Sequence, residues 1–244
     1  MIVRLLLIAY TMLCAACASM QANTVPPKRI TSSDWRVATT EVVQQYAPKA
    51  DSDLSPYFTQ AHIAYPPQKI ALLTFKHEKR MELWATDYNT HNWRYIKTFP
   101  LTAISGGPGP KLKTQDLQIP EGVYQIVHLN PFSAWQLSMK LKYPNALDRQ
   151  YATQDGRTAL GNDIFIHGKN GSAGCLAIGD PAIDDLFVLV HRIGAQNVRV
   201  IIVPNDLRYK KPVTDFSKQP KWVPQLYTLL KQELQPFTMQ QTMV

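Results

Sequence analysis

A histidine and a cysteine lie close together in the stretch of the chain whose residue types are best suited to covalent chemistry. Residues 164–175 read IFIHGKNGSAGC, so that His167 ends a short apolar run and Cys175 follows a loop of small residues. Their separation of eight positions lets the loop fold back and bring an imidazole beside a thiol. A cysteine thiol has an ordinary pKa of about 8.5 and needs a neighbouring base to be a strong nucleophile at neutral pH. The pattern therefore predicts Cys175 as a nucleophile with His167 as its base.

The chain has 3 cysteines, and the positions of the other two favour this interpretation. A basic residue, an apolar run and several alanines predict a signal peptide over residues 1–18, with an apolar run too short to span a bilayer. Cys14 leaves with this segment, and Cys17 is either removed with it or kept as a lipid attachment site. We expect a periplasmic protein, exported by this leader, in which Cys175 is the only free thiol. An unpaired cysteine is unusual in an exported protein.

The segment before the histidine is predicted to supply strands. Residues 19–66 are expected to form a tether and then a short helix from Asp34 to Tyr46, which Pro48 ends. Two apolar runs around a polar turn, Ile70–Phe75 and Met81–Thr86, predict a hairpin.

Two further strands are predicted before the histidine, at Trp93–Phe99 and Val123–Val127. Alternation in the first of them places four side chains on one face: Trp93, Tyr95, Lys97 and Phe99. The Gly- and Pro-rich loop 105–122 lies between these strands. It lacks a Walker pattern and a following helix, so a phosphate-binding role is rejected.

After the second strand, residues 128–163 are expected to form an irregular insertion that shapes specificity. A helix is predicted to start at Asp180-Pro181, with Asp180 as its N-cap, and to end at Gly194. Val198–Val203 is predicted to be a buried strand. A last helix is predicted to pack on the domain through one apolar face: Trp222, Leu226, Leu229, Leu230, Leu234 and Phe237.

The predicted division is a catalytic domain over residues 67–204 and a C-terminal extension with a packed helix over 205–244. A net charge of +8 without a run of five like charges indicates either a solvated basic surface or attraction to an anionic envelope polymer, and charge alone does not decide between them. The sequence shows no nucleic-acid module. The 6 histidines show no paired ligand spacing, so no metal and no cofactor is expected. Four cations that could meet peptide carboxylates are expected to be solvated surface residues: Lys111, Lys113, Arg149 and Arg157.

These motifs resemble the L,D-transpeptidase catalytic domain family of the YkuD type, whose hallmark is His-Gly followed by Ser-x-Gly-Cys. The matching residues are His167-Gly168 and Ser172-Ala173-Gly174-Cys175, and the segments SGGPGPK, IPEGVY and KYPNALDR resemble the YafK (DpaA) branch of murein amidases. The resemblance covers roughly residues 66–237. It implies an α+β fold: a mixed β-sandwich-like catalytic domain with a few flanking helices and the site at one end of a sheet.

The resemblance also implies roles for the residues. Cys175 attacks a peptide carbonyl, His167 takes and returns a proton, and the carbonyl of Gly168 orients the imidazole. Backbone N–H groups of Ala173, Gly174 and Cys175 are expected to form the oxyanion hole, while Ser172 either holds the loop or is a simple turn residue.

Three functions stay open from the sequence. The first is cleavage of the diaminopimelate–lysine bond that attaches an outer-membrane lipoprotein to peptidoglycan, through a thioester intermediate. It is favoured because Ala173 and Ala177 stand where many cross-linking members of the family have His and Arg. The alternatives are a transpeptidase that forms cross-links or lipoprotein attachments, and a non-catalytic murein-binding protein. The expected partners are thus peptidoglycan stem peptides and a murein-attached lipoprotein, with membrane contact only through a lipid on Cys17.

Overall fold

The computed structural model describes residues 31–87 and 92–238. Its helices are α1 (Ser32–Gln60), α2 (Ala146–Gln154), α3 (Asp180–Ile193) and α4 (Val223–Leu234), with short 3-10 helices at Ala195–Asn197 and Phe216–Lys218. Its strands are β1 (Lys69–Phe75), β2 (Arg80–Thr86), β3 (Arg94–Pro100), β4 (Gly122–Asn130), β5 (Ser138–Leu141), β6 (Phe165–His167), β7 (Leu176–Ala177) and β8 (Val198–Val203). The predicted signal peptide, Cys14 and Cys17 lie outside the described residues.

The strands form one mixed, curled sheet in the order β3-β2-β1-β8-β4-β5-β6-β7. β1 pairs with β8 in parallel, as β6 does with β7, and the other neighbours are antiparallel. β4 joins the two halves: its first residues pair with β8, and its last residues pair with β5 after a register shift between Ile126 and His128. The predicted α+β fold class is confirmed.

Helices cover both faces of this sheet, because β1 and β8 are apolar on both sides. One face packs with α1 and α3 in a core that includes Leu54, Leu72 and Leu186. The other face packs with α4 in a core that includes Leu73 and Leu230. The predicted hairpin (β1 and β2), the buried strand β8 and the packed C-terminal helix are all present. Leu229 was wrongly assigned to the packed face of that helix, since it is 38% exposed.

The first helix is longer than predicted. α1 has 29 residues and continues through both Pro48 and Pro56. A proline within a helix loses one hydrogen bond and costs about 3 kcal/mol, but its fixed φ is compatible with a helix. Burial of Ala50, Leu54 and Phe58, on a helix that packs mainly against α3, offsets that cost.

The alternation predicted for the third strand was wrong, because β3 contains a bulge. The register between β2 and β3 shifts between Leu83 and Trp84, where Ile96 is the extra residue on β3. Ile96 therefore packs into the same core as Phe99, whereas Tyr95 packs into the core on the opposite face.

The segment 128–163 is not the irregular insertion that was predicted. It contains β5 and α2, and α2 begins with a capping box in which Asn145 and Asp148 exchange side-chain and backbone hydrogen bonds. The start of α3 also differs: its N-cap is Gly179, and Asp180 instead accepts a hydrogen bond from the backbone N–H of Lys169 at 2.7 Å. This bond ties the loop after His167 to the helix. Gly194 ends α3 as predicted.

Candidate active site

Three short strands bring the predicted histidine and cysteine to one face of the sheet. His167 pairs with Ser138 on β5 and with Ala177 on β7. Because successive residues of a strand point to opposite faces, the core-facing residues are the ones between them: Met139, Ile166 and Leu176, each 0% exposed. The other face carries Ser138, Lys140, Phe165, His167 and Ala177, and Cys175 directly precedes β7, two positions before Ala177.

This face opens into a cleft of about 630 Å³ that both His167 and Cys175 line. The loop 132–135 and the small-residue loop 171–173 both line it. Asp163 and Phe165 also line the cleft. The imidazole and the thiol therefore share a space large enough for a peptide segment.

His167 is held in one tautomer. Its side chain is buried, and Nδ1 lies 2.7 Å from the carbonyl oxygen of Gly168. A carbonyl can only accept, so Nδ1 donates a proton and the free Nε2 is left as an acceptor. Burial lowers the pKa of His167 below its ordinary value of 6.5, while the Gly168 carbonyl opposes this change. The imidazole is accordingly neutral at neutral pH and ready to take a proton.

Cys175 rests as a thiol. Its Sγ donates to the carbonyl oxygen of Asp163 at 3.7 Å. Burial raises the pKa of Cys175 above its ordinary value of 9.0; a backbone hydrogen bond with Phe165 opposes this change, the Asp163 carboxylate adds to it, and Lys111 lowers the pKa. The resting pair is thus thiol and neutral imidazole, and the proton must leave as the sulfur attacks.

A second loop, distant in sequence, braces the cysteine loop. Ser105 Oγ accepts from the backbone N–H of Gly174 at 2.6 Å and lies 2.9 Å from Ser172 Oγ. Ser172 Oγ in turn donates to the carbonyl oxygen of Cys175 at 2.8 Å. The predicted oxyanion donor Gly174 is therefore already bonded to Ser105 in this structure. Ala173 and Cys175 stay as the predicted donors.

Two glycines of the motif are required by the backbone. Gly174 has a φ of +107°, and a Cβ there would lie 3.2 Å from the carbonyl oxygen of Gln118. A Cβ at Gly168 would lie 2.5 Å from Asp180 Oδ1 and 2.9 Å from the carbonyl oxygen of Trp135. The path between His167 and Cys175 therefore depends on the absence of these side chains.

Comparison with known proteins assigns this arrangement to a family. The sequence model of the L,D-transpeptidase catalytic domain (YkuD) matches residues 74–203, which include the residues that line the cleft, His167 and Cys175 among them. The chain belongs to the L,D-transpeptidase catalytic domain family.

Named relatives and solved structures are similar over part of their length. The chain is 30% identical over 135 residues to "Putative L,D-transpeptidase YafK" of Escherichia coli (strain K12) and of Escherichia coli O157:H7, covering 53% of this chain and 52% of each relative. The chain thus spans about half the length of these relatives. The crystal structure of the helical cell shape determining protein Pgp2 from Campylobacter jejuni aligns with a TM-score of 0.46 and 20% identity, over 69% of this chain and 54% of that chain.

Three residues in or beside the cleft were not singled out from the sequence. Ser105 lies in the segment that was predicted as a Gly- and Pro-rich loop, but its contact with the cysteine loop was not predicted. Asp163 lies two positions before the first residue of β6 and has a φ of 57°, a left-handed conformation. The Trp135 ring lies 5.1 Å from the His167 ring and packs over Gly171.

The basic residues predicted to be solvated behave differently from one another. Lys111 is only 8% exposed, and its Nζ donates to Asp116 at 2.5 Å and to the Lys113 carbonyl at 2.9 Å. Arg157 donates to the carbonyl of Leu112 at 2.8 Å. These two side chains hold the loop 111–116, so the surface prediction for them was wrong. Lys113 and Arg149 are exposed.

Within residues 31–87 and 92–238, no group of three or more His, Cys, Asp or Glu side chains is placed to hold a metal ion. Among the helices of those same ranges, none is both long and apolar enough to cross a bilayer.

Proposed function

We propose that this chain is a cysteine-dependent acyl-transfer enzyme that acts on peptidoglycan-linked peptides, with hydrolysis as its main outcome. The observation that carries this proposal is the shared sheet face, where neutral His167 and the thiol of Cys175 open into one cleft. Family membership supports the same chemistry.

The proposed reaction has two steps. His167 Nε2 removes the thiol proton as Cys175 Sγ attacks the amide carbonyl; the C–N bond then breaks, and the departing amine receives that proton. The thioester left on Cys175 is attacked by water, which loses a proton to His167, and the carboxylic acid and the thiol are released. Backbone N–H groups of Ala173 and Cys175 are the proposed donors to the oxyanion, and losing one such donor costs about 3 kcal/mol in the barrier.

The proposed substrate bond joins diaminopimelate of peptidoglycan to the terminal lysine of an outer-membrane lipoprotein. This proposal is supported by Ala173 and Ala177, which stand where many cross-linking members of the family have His and Arg. Ala177 is 0% exposed, and Ala103 bridges to it from a neighbouring segment. An arginine side chain, which many cross-linking relatives have at this position, would find no room there. The proposed location is the periplasm, with lipid attachment at Cys17 as the alternative to complete release.

The direct test uses sacculi that carry covalently bound lipoprotein. The chain without its leader should release lipoprotein, and the Cys175→Ala variant, verified as folded by its melting temperature, should release none. Mass spectrometry of the released protein should show an intact terminal lysine. Release by the variant at the wild-type rate would overturn the proposal.

A transpeptidase is the second candidate, because the similar YafK proteins are named as transpeptidases. In that case an amine, not water, resolves the thioester. Muropeptide analysis of treated sacculi in the presence of added donor and acceptor peptides separates the two, since only the transpeptidase produces new cross-linked species. A non-catalytic murein-binding protein would sediment with sacculi and leave their composition unchanged.

A further inference from the structure

An ion pair with solvent access lies beside the nucleophile. Lys140 Nζ lies 2.5 Å from Asp163 Oδ1, and the two side chains are 35% and 54% exposed. Lys140 pairs with Phe165, and Asp163 and Phe165 line the cleft together with Cys175. A molecule that fills the cleft therefore reaches the Asp163 carboxylate directly and has the partly exposed Lys140 ammonium next to it.

The main chain of Asp163 lies beside the sulfur. The carbonyl oxygen of Asp163 accepts the hydrogen bond from Cys175 Sγ, and the next residue, Ile164, is buried. The Asp163 side chain thus stands within the reach of any substrate whose carbonyl meets Cys175. Exposed ion pairs contribute little to folding, and their members can exchange partners with a ligand.

A carboxylate at this place is unfavourable for the nucleophile in the free enzyme. The negative charge of Asp163 raises the pKa of Cys175, in the same direction as burial does. A cation that bound to Asp163 would cancel this influence. The thiol of Cys175 is therefore easier to deprotonate when a cation occupies the cleft than when the cleft is empty.

We infer that Asp163 and Lys140 form a subsite for the zwitterionic amino-acid end of the acyl donor, with its ammonium on Asp163 and its carboxylate on Lys140. The inference rests on the proposed function. In a diaminopimelate residue whose first centre carries the attacked carbonyl, the second centre keeps an ammonium and a carboxylate. Two opposite charges on the ligand meet two opposite charges on the protein, so each is paired when water is displaced.

The variant that tests the subsite is Asp163→Asn. Asparagine tolerates a left-handed φ and keeps the backbone carbonyl that accepts from Cys175, so the change removes only the charge. The donors are a diaminopimelate muropeptide amide and the same compound with its free amine acetylated. For the free amine, KM should rise about tenfold in the variant, as expected for the loss of one charge-assisted pair. For the acetylated donor, wild type and variant should have equal KM values. Equal losses for both donors, or no loss for either, would overturn the inference.

A second measurement needs no substrate. Alkylation of Cys175 by the neutral reagent iodoacetamide at pH 8 should be about threefold faster in Asp163→Asn, because a nearby negative charge has been removed from beside the thiol. Asp53→Asn is the matched control: it removes the same charge from an exposed lysine pair with Lys49 on α1. This control should leave the alkylation rate at the wild-type value. An unchanged rate in Asp163→Asn would show that the carboxylate does not act on the thiol.

A binding experiment separates failure of the subsite from failure of the proposed function. If wild type turns over neither donor, the proposed hydrolysis is wrong. Calorimetry with the Cys175→Ala protein then tests the subsite alone, since the free-amine muropeptide should bind about tenfold more tightly than the acetylated one. Adding Asp163→Asn should remove this difference. Equal binding of both compounds to the Cys175→Ala protein would overturn the inference.

Discussion

Two lysine–carboxylate pairs lie in different halves of the sheet, and their surroundings differ sharply. Lys76, after β1, and Glu121, before β4, are 2% and 0% exposed in their side chains, with a 3.0 Å separation. Lys76 Nζ also donates to the carbonyl oxygens of Gly109 and Ile119, at 2.7 and 2.9 Å. Lys140 and Asp163 have a similar chemistry but stand half in water beside the cleft.

The difference shows how one pair of residue types serves two purposes. Every direction around the Lys76 ammonium is taken by a backbone carbonyl or by Glu121, so this pair fixes the loop 105–121 to the sheet and leaves no place for a ligand. Burial lowers the pKa of Lys76, and Glu121 opposes that change. The side chains of Lys140 and Asp163 are open to solvent, so a substrate can approach them.

The largest expected effect therefore belongs to the buried pair. Glu121→Ala leaves the Lys76 ammonium buried without a counter-charge, and such a loss destabilises a protein by about 3–5 kcal/mol. Lys140→Ala, at the exposed pair, should change the free energy of unfolding by no more than about 1 kcal/mol. Denaturant unfolding of both variants measures the contrast.

A matched variant tests the reason for this contrast. Glu121→Gln keeps a hydrogen-bond acceptor near Lys76 and removes only the charge, so its loss of stability should fall between those of Glu121→Ala and Lys140→Ala. Equal losses of stability in Glu121→Ala and Lys140→Ala would contradict the distinction between the buried pair, which holds the fold, and the exposed pair, which a ligand can displace.

The elements that were predicted correctly depend on residues that are close together in the sequence. The hairpin of β1 and β2, the strand β8 and the C-cap Gly194 depend on neighbouring residues, and all three are present. The end predicted for α1 at Pro48 was wrong because packing, mainly against α3, outweighs the cost of the proline. Likewise, β5 has only four residues and was hidden in a polar segment.

The candidate site also contains residues that the sequence predicted and residues that it did not. His167 and Cys175 were predicted because a short loop joins them, and the structure places both in one cleft. Ser105 reaches Gly174 across 69 positions of sequence, a contact that depends on how the strands are ordered. Asp163 meets Lys140 across 23 positions of sequence, and its carbonyl oxygen accepts from Cys175 Sγ across 12. Contacts between distant segments were therefore beyond the reach of spacing rules.

A smaller effect is expected where the anchored loop meets the cleft. Ser105→Ala removes the acceptor of the Gly174 N–H and the neighbour of Ser172 Oγ, a loss of about 1–2 kcal/mol. If Ser105 positions the cysteine loop, kcat should fall about tenfold with little change in KM, and Ser105→Thr should recover most of it. A fall in melting temperature with unchanged kcat would assign Ser105 a purely structural role.

The smallest effect is the pH dependence that follows from the neutral thiol–imidazole pair. Because burial lowers the pKa of His167 below 6.5, more than half of the imidazole stays neutral at pH 6.5. The value of kcat/KM should thus fall less than about twofold between pH 8 and pH 6.5, and steeply only below that range. No rise is expected from pH 7 to 9, since the pKa of Cys175 is raised above 9.0. A reaction that required preformed thiolate would instead accelerate about tenfold per pH unit across that range.

The lowered pKa of His167 also makes the stability of the fold decrease as the pH falls. A buried neutral histidine contributes stability that is fully present above its unfolded pKa, near 6.5, and that is lost as the pH falls through its lower folded pKa. His167→Asn removes this contribution, so the difference in melting temperature between wild type and variant should shrink below pH 6.5. A difference that is constant from pH 8 to pH 5 would show that His167 titrates alike in the folded and unfolded chains. In that case the cleft would be open to water at the imidazole as it is at Lys140 and Asp163.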